Sequence, residues 1–519
     1  MNLLSLALIV FVVGVNLLFW AGVGAARWTA ERLARGVPAP PRHRIRPEQV
    51  AVLIAAHNEE LGVASTVAAA HRLVPRGNVF VVSDGSADRT VARAREAGAM
   101  VLDVNPNGGK AAALAAGIKH FALGERFEVV MLLDADTAPA EDYLDTGLPL
   151  FDAPDVVAVA GRAATVWDRA DRLGVVGQIL RAYRERLYVA FQTLFKYGQA
   201  ARRCNAVMIV PGFASMYRAR VLGSIDIAAR GLAIEDFNMT FEVHAHRLGR
   251  IAFHPRAAIA YTQDPHNLRD YSKQVSRWCL GFWQTLRRHG VRRGVFGLAL
   301  AAFVAELLTS SIIFVVLGPL LVLAGAGALL VHLTGIDGVI RELAIGVATA
   351  VPVWELLLSV LLIDYLLTVL VAARQRRPSY LLLGLAFLPL RCLDAWLCLC
   401  SLWRTRFARS VGTWTSPTRR APTGLPRPAL AATIPDLPWP GPTAAPPLVP
   451  ASRNGSSLGR RRPSPVPRNG SAPKPRRPSP VPRNRSAPKP RRPSPVPRTS
   501  PLHINPASNP GHHPDGAGP

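Results

Sequence analysis

Asp134-Ala135-Asp136 ends the apolar run VVMLLD and sets two carboxylates at one end of a strand-like segment. Hard oxygen ligands of this kind suit Mg²⁺ or Mn²⁺ bound together with a diphosphate. Alone, the pattern reads equally as a strand-end turn in which Asp136 caps the next helix. Ile234-Glu235-Asp236 opens a second acidic site ahead of the helical stretch FNMTFEVHAHRLG, where either acid could also serve as an N-cap. Asn107-Gly108-Gly109-Lys110 forms a turn into a helix, a phosphate-facing arrangement because Gly permits close backbone approach and a helix start presents N–H donors. The spacing fails the P-loop template, since no Gly precedes the Gly109-Lys110 pair by five residues and Ala111 follows it; this argues against a kinase or ATPase. In Gln274-Val275-Ser276-Arg277-Trp278, Gln and Arg offer planar donors for sugar hydroxyls or phosphate and Trp a flat face for a pyranose. The same five residues also read as an amphipathic helix at a membrane surface. His244 and His246, two residues apart, do not share a helix face and read as ordinary helix residues.

These groups need a scaffold, and residues 47–290 supply its signature. β-rich runs at 50–58, 78–86, 129–136 and 156–161 end in polar turns, with Ala-rich helical stretches at 59–72, 87–98 and 110–122 between them. Such alternation predicts a parallel sheet covered by helices on both faces, with ligands bound beyond the carboxyl ends of the strands. Asp84, Asp134 and Asp136 all stand at such ends. Residues 178–203 carry Leu180, Tyr183, Leu187, Phe191 and Leu194 at helical spacing with arginines between, which fits a basic amphipathic helix on the inner leaflet or a core-packed helix equally well.

Apolar blocks flank this segment. Residues 3–26 contain Asn16 as their one strongly polar residue and are long enough to span a bilayer; the absence of a basic region before them and their length argue against a cleaved signal peptide. Arg27, Arg32, Arg35, Arg42, Arg44 and Arg46 follow, and flanking basic residues stay cytoplasmic, so the chain from 47 onward is expected to face the cytosol. A second block, 295–333, breaks at 334–342 and resumes over 343–373, predicting a span out and a span back; Glu306 belongs at the interface or against protein rather than in lipid. The segment 379–403 carries Arg391 and Asp394, expected to pair on one face of an interfacial or re-entrant helix, with a further span as the alternative.

The charge is uneven. Of 45 prolines 28 fall in residues 421–519, and residues 401–519 hold 20 Lys plus Arg against two acids, which accounts for +18 of the net +27. The basic excess is a tail property, and a mean hydropathy of +0.18 also argues against a simple soluble nucleic-acid-binding protein. From about 416 the chain repeats RRPSPVPR at Arg461, Arg476 and Arg491, a composition that cannot bury a core and predicts a disordered or polyproline-II tail, suited to anionic lipid or a proline-recognising protein. Five cysteines with no CxxC pair support neither a disulfide framework nor a structural zinc site and point to a reducing compartment.

In order along the chain stand AAHNEE (55–60), SDGSADRT (83–90), GGKAAAL (108–114), DAD (134–136), PGFASMYR (211–218), IED (234–236) and QVSRW (274–278). Over residues 48–290 and the flanking apolar segments this sequence resembles the membrane-integrated, inverting, family-2 glycosyltransferases of the GT-A type, which include cellulose, chitin, hyaluronan and poly-N-acetylglucosamine synthases. The resemblance implies an α/β GT-A (Rossmann-like) cytosolic catalytic domain at 47–290, a transmembrane helix within 1–28, transmembrane or interfacial helices over 295–403, and the disordered tail from 416. It implies that His57, Glu59 and Asp84 hold the nucleotide, that Lys110 faces the diphosphate, that Asp134 contacts the nucleotide sugar and, with Asp136, a Mg²⁺ or Mn²⁺ ion. Glu235 and Asp236 would be catalytic, Asp236 as general base, and Gln274, Arg277 and Trp278 would line the acceptor and diphosphate side. Ile234 replaces the Thr common in that family's motif. The implied activity is processive transfer of a hexose from a UDP-sugar, with UDP-N-acetylglucosamine as the best guess, to a growing β-linked saccharide, with synthesis coupled to export. The partners implied are that donor, a saccharide or lipid-linked acceptor and membrane lipids. Two alternatives are single-sugar transfer to a polyprenyl carrier and a non-catalytic scaffold or transporter that binds nucleotide sugar.

Overall fold

A strand buried on both faces must be apolar throughout, and VAVLIAA meets that requirement. It forms β1 (Val50–Ala56), all seven residues buried. Val50, Val52, Ile54 and Ala56 enter one core cluster, while Ala51, Leu53 and Ala55 enter another on the opposite face. In this computed structural model, residues 14–33, 45–166, 173–334, 338, 339, 342, 346 and 353–407 are described. β1 pairs in parallel with β2 (Val79–Asp84) on one side and β4 (Val129–Asp134) on the other, and β3 (Met100–Val104) extends the sheet beyond β2. The strand runs expected at 50–58, 78–86, 129–136 and 156–161 are therefore present, each shorter by one to three residues because the polar turn begins sooner.

The expectation of an all-parallel sheet is corrected. β8 (Ala214–Arg218) lies between β4 and β6 (Val156–Ala160) and is antiparallel to both, giving the mixed order β3-β2-β1-β4-β8-β6-β9, with β9 at Arg250–Ala252. A second, three-stranded sheet joins β5 (Ala138–Pro139), β10 (Ile259–Thr262) and β7 (Arg162–Thr165). The reversal has a direct consequence for the rim. Because β8 starts where β4 ends, Pro211-Gly212-Phe213 crosses the carboxyl end of β4, and Asp134 N–H donates to Phe213 C=O at 2.9 Å.

The helices of seven residues or more among the described residues are α1 (Val15–Leu33), α2 (Val63–Ala70), α3 (Thr90–Glu96), α4 (Lys110–His120), α5 (Val175–Ala190), α6 (Asp236–Ala245), α7 (Leu268–His289), α8 (Val295–Thr334), α9 (Val353–Gln375) and α10 (Phe387–Arg404). α5 runs on through a π-helical turn, Phe191–Lys196. The reading of this segment as a leaflet-bound amphipathic helix does not hold. Arg181, Arg184, Glu185 and Arg186 are buried along with Leu180 and Tyr183, so no polar face is left to meet head groups. The charges find protein partners instead: Arg186 Nη1 lies 2.7 Å from Asp364 Oδ2 on α9, and Tyr380 hydroxyl donates to Glu185.

Val295–Val316, within α8, and Ser379–Arg404, which includes α10, are long and apolar enough to cross a membrane, by length and composition. The expected pairing of Arg391 with Asp394 is corrected too. Arg391 reaches across to Asp364 Oδ1 at 2.7 Å, while Asp394 accepts hydroxyl hydrogen bonds from Tyr183 and Tyr271 at 2.9 and 2.7 Å. Each charge is better served by a neighbouring helix than by its own, since Asp364 then satisfies two guanidinium groups at once. Glu306 Oε2 accepts from both the backbone N–H and the side-chain amide of Asn16, at 2.7 and 2.8 Å. The only strongly polar residue of the first apolar segment thus meets the only acid of the second. Residues 1–13, 343–345, 347–352 and the tail from 408 lie outside the described residues, and with them part of the first and third expected spans and the disordered-tail expectation.

Asp364 makes a prediction for the fold. Asp364→Ala removes the carboxylate that pairs with both Arg186 and Arg391, and stranding a buried charge costs about 3–5 kcal/mol. Thermal unfolding of the purified full-length protein is expected to shift to markedly lower temperature, and an unchanged midpoint would mean that this pair does not pin α5 to α9.

Candidate active site

Three segments far apart in sequence bring charge to one point. Lys110, the first residue of α4, sends its ammonium to Asp134 Oδ1 at 2.7 Å and to Glu235 Oε1 at 2.8 Å. Asp134 ends β4, Glu235 precedes α6 and Asp236 is its first residue. The Glu235 side chain makes no capping bond to α6, so the N-cap reading fails for it: the carboxylate is turned to Lys110 instead. The chain passes close here. A Cβ at Gly212 would stand 2.1 Å from Asp236 Oδ1 and 3.0 Å from Glu235 Oε1, so only glycine lets the 211–213 crossing lie against the two acids. A Cβ on Gly281 of α7 would stand 2.3 Å from Ile234 Cγ1, which holds the approach to those acids from the other side.

The electrostatics follow from this packing. Burial alone would push Lys110 down, but Asp134, Glu235 and Asp236 together outweigh it and hold the ammonium well above its ordinary value. Burial likewise acts against the charge of Glu235, and Lys110 overcomes it, leaving the carboxyl below its usual range. Asp134 is raised, by burial first and with Asp136 adding to it against the pull of Lys110. In Asp236, burial and the charge of Glu235 push the carboxyl up to about 7. Its Oδ1 is enclosed, with Gly212 packed against it. An acid with that affinity is poised to accept a proton near neutral pH.

At the end of β2, Asp84 is fully buried, and its two oxygens accept the backbone N–H groups of Gly108 and Gly109 at 2.8 and 2.7 Å. This corrects the phosphate-facing reading of the 107–110 turn, because those two donors are already taken by a carboxylate; Asp84 shapes the turn that launches Lys110. His57 Nδ1 lies 2.6 Å from the Asp84 carbonyl oxygen, and Glu59 is buried with its N–H donating to Thr90 Oγ1 at 2.8 Å. Asp136 is half-buried, its Oδ1 accepting from Thr137 Oγ1 at 3.3 Å. Among the described residues no group of three or more His, Cys, Asp or Glu side chains is placed to hold a metal ion.

On α7, Gln274 and Trp278 face inward to Arg184 of α5, which donates to Gln274 Oε1 and lies 4.3 Å over the Trp278 ring, whereas Arg277 is exposed. Arg184 is backed by Asp264, Nε to Oδ1 3.6 Å. Sequence reasoning missed Arg184 and Asp264, and it also missed Lys196, a buried ammonium that burial pushes down to about 7 while Asp236 pulls the other way. The signal available was three arginines within six residues of an otherwise helical run, which reads as a solvated face until a partner is known. His244 Nε2–H donates to Val207 C=O at 2.9 Å, and burial holds the imidazole down to about 4, so it stays neutral.

Residues 47–281 match the family model described as glycosyltransferase like family 2. This segment is similar to family-2 glycosyltransferase domains. A probable glycosyltransferase, YdaM, of Bacillus subtilis is 28% identical over 251 residues, 45% of this chain and 55% of that one, so the chain spans little more than half of that relative. A polyprenol monophosphomannose synthase of Mycolicibacterium smegmatis is 28% identical over 192 residues, 36% of this chain and 68% of the other. Among solved structures, the mannosyltransferase PcManGT of Pyrobaculum calidifontis in complex with GDP-Man and Mn²⁺ has a TM-score of 0.43 at 16% identity, covering 77% of this chain and 99% of that chain. Glucosyl-3-phosphoglycerate synthase of Mycobacterium tuberculosis with Mn²⁺, UDP-glucose and glycerol 3-phosphate has a TM-score of 0.30 at 18% identity, covering 48% and 82%.

Lys110→Met strands Asp134 and Glu235 side by side, and removal of one partner from a buried ion pair costs about 3–5 kcal/mol. The variant is expected to unfold at lower temperature and to lose activity, and Lys110→Arg to recover stability better than activity. Gly212→Ala, which forces a methyl onto Asp236, is expected to lower turnover at least about tenfold; wild-type turnover in a steady-state assay would mean that Asp236 is not held by this contact.

Proposed function

We propose that the protein is a membrane-bound inverting glycosyltransferase acting at the cytosolic face, with residues 47–290 as its catalytic domain and the helices on either side as its anchor. It transfers a sugar from a UDP-sugar, with UDP-N-acetylglucosamine the first donor to test, to a growing β-linked saccharide. The observation that carries the reading is the meeting of Lys110, Asp134 and Glu235 within 2.8 Å, with Asp236 beside them.

Asp236 takes the proton of the acceptor hydroxyl as that oxygen attacks the anomeric carbon from the side opposite the diphosphate, which inverts the configuration. Glu235 keeps its own charge through Lys110 and so raises the proton affinity of Asp236 beside it. Lys110 supplies positive charge toward the departing diphosphate. Gln274 and Trp278 offer the acceptor ring an amide and a flat face. Asp136, whose half-buried carboxylate offers hard oxygens, and Asp134, which Asp136 repels, would hold a divalent cation together with the diphosphate, and its charge would offset that repulsion. When bound, Mg²⁺ or Mn²⁺ supplies further charge against the leaving group.

A second reading is single-sugar transfer to a polyprenyl carrier, favoured by the match to 68% of the polyprenol monophosphomannose synthase. The QVSRW segment, packed with both amide and ring toward the interior, favours the polymerising reading.

The test is UDP release by the purified full-length protein across a panel of radiolabelled UDP-sugars, followed by extraction. Label in material that grows in size supports polymerisation; label confined to the organic phase as one sugar per lipid supports the carrier reading; no release with any donor overturns both. A chelator is expected to abolish release and Mn²⁺ or Mg²⁺ to restore it. Asp236→Asn is expected to abolish turnover while donor binding persists. Because the base must be unprotonated, kcat in the wild type is expected to be full above about pH 7 and to fall about tenfold per unit below it. A kcat profile flat from pH 5 to 8 would remove Asp236 from that role.

A further inference from the structure

Gln274 and Trp278 are four residues apart on α7 and share one helix face. Among the described residues neither side chain has a specific partner except Arg184: its guanidinium edge donates to Gln274 Oε1 and its face covers the Trp278 ring at 4.3 Å. Arg184 is itself fixed. Its side chain is 3% exposed, and its immediate neighbours on α5 are tied to the C-terminal helices, Tyr183 to Asp394 and Arg186 to Asp364. Its counter-charge, Asp264, is equally buried and lies between β10 and α7, and Tyr188 one turn along α5 donates to the same carboxylate at 3.4 Å. Tyr188 in turn lies within electrostatic reach of Asp136 at the acidic rim. Hydrogen bonds and an ion pair therefore link Tyr188 and Asp264 to Arg184 and on to the α7 face, and Asp136 of the rim acts on Tyr188 through space. An arginine suits this place better than a lysine, because one planar group can donate at its edge and stack on its face together.

We propose that Arg184, with Asp264 as its counter-charge, is a positioning residue for glycosyl transfer: it sets the Gln274 amide and the Trp278 ring as the platform on which the acceptor saccharide lies. The role rests on the glycosyltransfer reading of the site. The platform is misplaced when Arg184 is removed, while Lys110, Asp134 and Asp236 stay where they are. Donor cleavage by water then continues, and transfer to the acceptor suffers.

The experiment measures UDP released and labelled sugar transferred in the same reaction, with purified full-length wild type, Arg184→Met, Arg184→Lys, Asp264→Asn, Trp278→Ala and the Arg184→Met/Trp278→Ala double variant. The ratio of release to transfer does not depend on how much of a preparation is folded. It is expected to rise about tenfold in Arg184→Met, with partial recovery in Arg184→Lys, which keeps the charge over the ring but loses the fork. Trp278→Ala is expected to give a similar rise and the double variant no more than either alone, since both act through one contact. An unchanged ratio with release and transfer falling together, or a double variant whose effects multiply, would overturn the positioning role and leave Arg184 as a structural pin. No UDP release by the wild type with any donor would overturn the glycosyltransfer reading and this role with it.

Discussion

One ammonium group organises the centre of this protein. Three carboxylates brought together below the surface repel one another and lose their hydration, and without compensation they would take up protons or drive the segments apart. Lys110 touches two of them at 2.7 and 2.8 Å and acts on the third through space. Its placement depends in turn on Asp84, whose buried oxygens bind the two N–H groups just ahead of it. The ion cluster also sets the acids apart in proton affinity: Lys110 holds Glu235 charged, burial raises Asp134 in spite of the same ammonium, and Asp236 is pushed up to about 7.

The sheet serves this cluster through its one reversal. Parallel strands β1, β2 and β4 put Asp84 and Asp134 on a common edge, but an all-parallel sheet would leave that edge open to solvent on the β4 side. β8 enters from that edge and lays Gly212 across it, so Asp236 is pressed into contact with the backbone and its neighbours. Burial there is the largest cause of the shift in Asp236.

The helices after the domain are tied to it by charge rather than by apolar contact alone. Asp364 binds Arg186 of α5, and Asp394 receives the hydroxyls of Tyr183 and Tyr271; Arg391–Asp364 and Asn16–Glu306 tie the flanking helices to one another. In an apolar setting each unsatisfied group is costly, so these bonds fix which faces of the helices meet. α5 joins this order to the rest of residues 47–290, since Arg186 meets Asp364 while Arg184 meets Asp264 and Gln274.

The sequence alone determined the parts whose cause is local. β1, β2 and β4 are legible because a strand covered on both sides must be continuously apolar, and their ends are legible because Asp84 and Asp134 interrupt that run. The acids, Lys110 and the QVSRW face could be named from residue type and order. Local pattern says nothing, however, about which distant partner a charge will find. β3 was illegible because an exposed edge strand containing Asp103 lacks an apolar run, and the direction of β8 is decided by its neighbours. Arg391 and Asp394 have the spacing of a helical pair yet bind elsewhere, and the arginines of α5 have the spacing of a wetted face yet lie inside. In each case long-range electrostatics and burial overrode periodicity, because the partner that offsets the cost of burying a charge lies more than a hundred residues away or on another helix.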